Sequence, residues 1–155
     1  MKPTKEVFGN KLRIRACGLC YREESLLLVK HDIDGEILWA PPGGGVEFGE
    51  SIENSIIREF KEECNLEVIP DQFLFFTEYL SHPLHSIELF YNIKSYKGEL
   101  SIGYDPEIND RKIILEVDFL NQKQINLIPD RQLHAILKSC INPIHLLDNR
   151  GHFKY

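Results

Sequence analysis

Runs of apolar and polar positions divide the chain into short segments with two different periods. "LRIRACGLCY" (Leu12 to Tyr21) predicts a strand. The polar turn "REES" (Arg22 to Ser25) separates it from "LLLVKH" (Leu26 to His31), a second strand expected to pair with the first as a hairpin. "DIDGE" (Asp32 to Glu36) is a turn, and "ILWA" (Ile37 to Ala40) leads into Pro41, Pro42 and the glycines Gly43, Gly44 and Gly45. A helical period then runs from Ser51 to Cys64. "FLFFTEYL" (Phe73 to Leu80) and "SIELFYNIKSY" (Ser86 to Tyr96) read as strands about the turn "SHPLH" (Ser81 to His85). "GYDPEINDR" (Gly103 to Arg111) is a polar loop, and "KIILEVDFL" (Lys112 to Leu120) is another strand. "DRQLHAILKSC" (Asp130 to Cys140) sets Leu133, Ile136 and Leu137 at helical spacing behind Asp130 as N-cap. The tail from Ile141 to Tyr155 has no assigned element. Strands, an internal helix, more strands and a closing helix predict a mixed α/β or α+β layer architecture.

The length, 155 residues, suits a single domain with its core between about residues 12 and 140. With 43% hydrophobic and 27% charged residues the composition is that of a soluble globular chain. A net charge of -6 argues against a broad basic face and so against nucleic acid as a partner. No apolar run approaches a membrane span, and "MKPTKEVFGNKLRIR" lacks the apolar middle of a signal peptide, so a cytoplasmic location is expected. Cys17 and Cys20 stand three apart in a strand, which sends their thiols to opposite faces and disfavours a metal or redox pair.

The helix carries the chemistry. Glu59, Glu62 and Glu63 fall at i, i+3 and i+4, in one arc, while Ile56, Phe60 and Cys64, with Ile57, fall on the neighbouring arc. Like charges at this spacing repel, and the macrodipole disfavours anions late in a helix. A neutralising partner would explain the cluster, and carboxylate oxygens suit hard cations such as Mg²⁺ or Mn²⁺. The plainer reading is a solvated face, since Arg58 and Lys61 are interspersed. Gly43, Gly44 and Gly45 tip the balance, because backbone free of Cβ lets a ligand or ion approach main-chain groups. Loop and acids together point to a metal-dependent site for a phosphate-bearing substrate.

This stretch resembles the Nudix box. Gly44 is followed by five residues and Glu50; after seven more come Arg58 and Glu59, then Phe60, Lys61, Glu62, Glu63, Cys64, Asn65 and Leu66. The lead-in is Pro42-Gly43-Gly44, and Glu47 and Gly49 also fit. Asn65 stands where the family has glycine; asparagine is the next best residue for a left-handed helix end. The resemblance implies an α/β/α sandwich with a mixed sheet. It implies hydrolysis of a nucleoside diphosphate linked to another group, with Mg²⁺ or Mn²⁺. Glu59, Glu62 and Glu63 would be metal ligands, one of them also the base, with a carbonyl of Gly43 or Gly44 as a further ligand. Arg58 would orient the acids, and Glu50 would hold the box together through Arg58. The family's further downstream acid is sought in "GYDPEINDR", where Asp105, Glu107 and Asp110 are candidates and Glu107 is favoured.

Gly43, Gly44 and Gly45 would face the diphosphate, and Trp39 and Tyr104 are candidates to stack on a base, core packing being the alternative for Trp39. His82 and His85 flank Pro83 and are weaker candidates for a phosphate contact or an auxiliary base. Pro83 loosely resembles a proline of ADP-ribose-hydrolysing relatives, whereas the short run before Leu12 does not match their longer N-terminal region. Nucleoside triphosphates, nucleotide sugars and ADP-ribose therefore all stay open as substrates. The alternative is a non-catalytic nucleotide sensor on the same fold, but the acids are complete and no stretch leaves room for an added DNA-binding domain. A homodimer is the default oligomer.

Overall fold

The structure is a computed structural model that describes residues 3–103, 112–138 and 140–155. A short helix α1 (Thr4–Phe8) precedes β1 (Lys11–Leu19), which is followed by β2 (Tyr21–Arg22), β3 (Ser25–Ile33), β4 (Glu36–Ala40) and β5 (Gly43–Gly45). Helix α2 (Ile52–Cys64) leads into the long strands β6 (Glu67–Ser81) and β7 (Leu84–Lys97). The chain continues through β8 (Lys112–Leu120), α3 (Gln122–Ile125), a 3-10 turn (Asp130–Gln132), α4 (Ala135–Lys138), a second 3-10 turn (Pro143–Asp148) and β9 (Gly151–His152). Among the described residues no helix is long and apolar enough to cross a membrane.

One sheet has the order β5-β1-β7-β6-β9 and is mixed, since β1 runs parallel to β7 and antiparallel to β5. In the other, β3 pairs antiparallel with β2, β4 and β8. Side chains on the two faces alternate along each strand. Leu26 and Leu28 of β3 join Cys17, Leu19, Phe75, Phe90 and the C-terminal residues Leu133, Ile136, Leu137 and Leu146. Leu27 and Val29 join Ala16, Cys20 and the apolar arc of α2: Ile56, Phe60 and Cys64. The unbroken "LLLV" therefore marks a strand covered on both faces. The architecture is an α/β/α sandwich, with α2 on one side and the C-terminal helical segments on the other. Cys17 and Cys20 belong to these opposite cores, and burial pushes the Cys20 thiol up to about 12 and Cys17 up as well.

Four expectations require correction. The hairpin between the first two strands is reduced to β2 and β3, in the pairs Tyr21↔Leu26 and Arg22↔Ser25. The chain changes sheets at Cys20, so β1 pairs with β5 and β7 instead. The closing helix is broken: Leu133 is extended and forms a bridge to Trp39, and among the described residues the α-helical part is Ala135–Lys138. Asp130 lies inside the 3-10 turn, whose N-cap is Pro129. Ile57, placed on the buried arc, is 39% exposed. The unassigned tail is also structured, since Asn142 caps its 3-10 turn and β9 adds parallel to β6.

Helix α2 ends as its sequence requires. Asn65 is left-handed (φ 57°, ψ 26°), its N–H donates to Lys61 O at 3.1 Å, and Leu66 N–H donates to Phe60 O at 3.3 Å. A β-branched residue is strained in that conformation. Asn65→Gly is expected to leave stability within about 0.5 kcal/mol of the parent, and Asn65→Val to cost about 1 to 2 kcal/mol, measured by urea denaturation. Equal midpoints for the two variants would contradict this assignment of the cap.

Candidate active site

The glycine stretch forms an edge strand. Gly43, Gly44 and Gly45 pair antiparallel with Cys17, Ala16 and Arg15. A Cβ on Gly43 would overlap Ala16 O, and one on Gly44 would overlap the Glu59 carboxylate. What approaches the backbone at Gly44 is thus one of the protein's own acids. At Gly45 the nearest atom to a Cβ would be Arg13 Nη2, at 3.3 Å.

Ser51 starts α2 by accepting from Asn54 N–H at 3.1 Å. On the next two turns Arg58 gathers the acids. Its Nε and Nη2 donate to the two oxygens of Glu50 at 2.9 and 3.1 Å. Nη1 donates to Glu59 Oε1 at 2.9 Å and to Glu62 Oε2 at 3.2 Å. Nη2 also donates to Gly45 O at 3.0 Å, tying the helix to the edge strand. Glu50 accepts in addition from Glu47 N–H at 3.1 Å. The Arg58 hydrogen bonds hold the Glu50 carboxyl below its ordinary range, and Glu50 above all raises the Arg58 guanidinium.

Glu63 is separated from this group. It is fully buried, with Oε1 3.0 Å from His31 Nε2 and Oε2 accepting from Gly43 N–H at 3.0 Å. His31 is itself buried and was not anticipated from the sequence. Its signal was available: it continues the Leu27, Val29 parity of β3, which faces α2. Among the described residues no three His, Cys, Asp or Glu side chains are gathered into a metal cage. In kind the donors suit a hard divalent cation, being carboxylate and carbonyl oxygens. In position, Glu59 and Glu62 converge on one guanidinium nitrogen beside β5, whereas the three acids expected in one arc are not presented together.

The remaining predicted residues fall elsewhere. Trp39 is 5% exposed; its indole packs in the core with Leu133 and Ile136, and its O accepts from His134 N–H at 2.9 Å. That corrects its expected place against a base. His85 pairs with Glu78 at 2.9 Å on the exposed β6–β7 hairpin, and His82 lies at its tip. Tyr104, Asp105, Glu107 and Asp110 lie outside the described residues. The segment leading to them is held on the end of α2, with Ser101 N–H on Cys64 O at 3.2 Å and Gly103 N–H on Glu63 O at 3.0 Å.

A second charged group lies on the other face of the edge strand. Arg13 and Arg15 share the face of β1 that carries Cys17 and Leu19, and Arg15 is in register with Glu88 of β7. Glu88 Oε2 is 3.0 Å from His134 Nε2. Burial would raise the Glu88 carboxyl, but His134, Arg15 and Arg13 together lower it to about 2. The alternation in "RIRACGL" placed these arginines on one strand face, but nothing in the sequence named their neighbours.

Residues 11–136 match the NUDIX domain family. The chain therefore belongs to the Nudix family. It is 29% identical over 93 residues to the Bacillus subtilis (strain 168) protein named "Putative ADP-ribose pyrophosphatase YjhB", covering 57% of this chain and 44% of that one. It is 38% identical over 60 residues to "Uncharacterized Nudix hydrolase YvcI" of the same organism, covering 39% and 36%. The chain thus spans less than half the length of these relatives. A solved NUDIX hydrolase from Nitrosomonas europaea superposes with a TM-score of 0.67 at 19% identity, over 90% of this chain and 93% of that one.

The close approach of Glu59 makes Gly44 more sensitive to an added Cβ than Gly45. Gly44→Ala is expected to cost about 1 to 3 kcal/mol in urea denaturation, because the carboxylate and its bond to Arg58 must shift. Gly45→Ala is expected to cost less, since only the end of a flexible arginine must move. A Gly45→Ala cost equal to or above that of Gly44→Ala would refute the packing described.

Proposed function

We propose that this chain hydrolyses a diphosphate linkage in a nucleoside diphosphate derivative, with a divalent cation, Mg²⁺ or Mn²⁺, as cofactor. One observation carries the reading: Arg58 draws Glu59 and Glu62 to the same nitrogen, beside an edge strand made only of glycine. Family membership supports it. When bound, such a cation neutralises phosphate oxygens and acidifies a water.

In this reading Glu59 and Glu62 hold the cation, and a carboxylate beside the attacking water accepts its proton. Glu50 and Arg58 fix the positions of both acids through charge-assisted hydrogen bonds. Glu63, bonded to His31 and to Gly43 N–H, anchors the edge strand to α2 and stands behind the other two acids. The Gly43–Gly45 strand offers a flank without side chains along which a diphosphate can lie. Glu107 is the candidate for a further acid. The name given to YjhB supports including ADP-ribose among the substrates, with nucleoside triphosphates and nucleotide sugars beside it.

A panel of these substrates with Mg²⁺ or Mn²⁺, with products identified by phosphorus NMR, tests the proposal. Turnover of at least one is expected, and Glu62→Gln should lower it by about a hundredfold or more at unchanged thermal stability. Binding without turnover across the panel would favour a nucleotide sensor. Full activity in Glu62→Gln would overturn the site assignment.

A further inference from the structure

Strand β1 carries two arginines whose arrangement the acidic helix does not explain. Arg13 and Arg15 lie two residues apart on one face, both half-buried. Arg15 is flanked in register by Gly45 of β5 and Glu88 of β7, and its Nη2 makes only a long bond, 3.4 Å, to Gly43 O. Arg13 lies with its guanidinium 3.8 Å from the centre of the Phe8 ring. Among the described residues neither guanidinium has a carboxylate oxygen within 4.0 Å. The acid nearest in register, Glu88, bonds His134 instead.

Two half-buried like charges side by side repel. Burial and Arg15 together lower the Arg13 guanidinium to about 10. An anion seated between them would relieve that repulsion, as the cation would for the acids on the other face. Among the described residues, β5 lies between the two groups. Gly44 and Ala16 turn toward α2 and Glu59, while Gly43 and Gly45 turn toward Cys17 and Arg15. Both arginines sense Glu59 across that strand. A chain of phosphates crossing the edge would meet the acids and their cation on one side and the guanidiniums on the other.

We propose that Arg13 and Arg15 form the subsite for a terminal phosphate of the substrate, a singly substituted and hence dianionic group, beyond the linkage that is cleaved. The inference rests on the diphosphate-hydrolase reading above and narrows it. Two cations match a terminal phosphate, whereas each phosphate inside ADP-ribose carries a single charge and ends in a neutral sugar. The favoured substrates are those that end in phosphate, such as nucleoside triphosphates.

The test is calorimetric titration of the full chain in EDTA, so that no metal contributes, with inorganic pyrophosphate and with ADP-ribose as probes. Pyrophosphate should bind at least about tenfold more tightly than ADP-ribose, from the strength of hydrogen bonds to charged groups. Arg13→Gln and Arg15→Gln should each weaken pyrophosphate about tenfold or more and leave ADP-ribose unchanged. Glu88→Gln removes the competing anion and should tighten pyrophosphate, a change that loss of folding cannot mimic. Should Arg15→Gln not fold, Arg13→Gln and Glu88→Gln decide the matter. Equal binding of the two probes by the parent chain, or unchanged pyrophosphate binding in Arg13→Gln, would overturn the subsite. Pyrophosphate binding that follows these expectations, with no substrate hydrolysed in Mg²⁺ or Mn²⁺, would instead overturn the hydrolase reading.

Discussion

Arg58 joins three segments: the turn before α2 through both oxygens of Glu50, the edge strand through Gly45 O, and α2 itself through Glu59 and Glu62. Carboxylates crowded late in a helix repel each other and oppose its dipole. A planar guanidinium with five donors can offset that repulsion and aim several acids at once. The arrangement explains why an arginine must directly precede the first glutamate of the cluster. It also explains why Glu50, eight residues earlier, belongs to the same site.

The glycines complete that arrangement. A chain with side chains at Gly43 and Gly44 could not lie against β1 and α2 together, because the space is taken by Ala16 O, Cys17 and the Glu59 carboxylate. Close backbone approach lets Glu63 accept from Gly43 N–H while it meets His31 on β3. The acidic helix is thereby fixed to a strand of each sheet, and the acids have little freedom to rearrange. Pre-organised charge of this kind is what phosphate chemistry requires. The same edge strand separates the acids from Arg13 and Arg15, so opposite fields lie on its two faces.

Local features of the chain were legible. The period of Ile56, Phe60 and Cys64 and the left-handed Asn65 depend on neighbours within a turn of helix, and the structure has them where the sequence places them. Features set by distant partners were not legible. The segment around Leu133 has helical spacing, yet His134 N–H bonds Trp39 O and pulls the chain extended. Leu12 to Tyr21 and Leu26 to His31 look like a hairpin, but a sheet change at Cys20 sends them to different partners. In the candidate site, the box spacing grouped Glu50, Arg58, Glu59, Glu62 and Glu63, because that motif is itself local; the first four meet through the Arg58 guanidinium, while Glu63 bonds His31 and Gly43 N–H. His31 and the Arg13–Arg15 pair were visible only as strand parity, since their partners lie 32 and 28 residues away. The glycines showed that something comes close to the backbone, but not that it is Glu59.

The dependence of this site on Arg58 can be measured without knowing the substrate. A double-mutant cycle combines Arg58→Met with Glu50→Gln and reads unfolding free energies in urea. Because each oxygen of Glu50 accepts from the guanidinium, a coupling of about 1 to 3 kcal/mol is predicted, lost in either single variant. A coupling within about 0.3 kcal/mol of zero, with both single variants as stable as the parent, would contradict it.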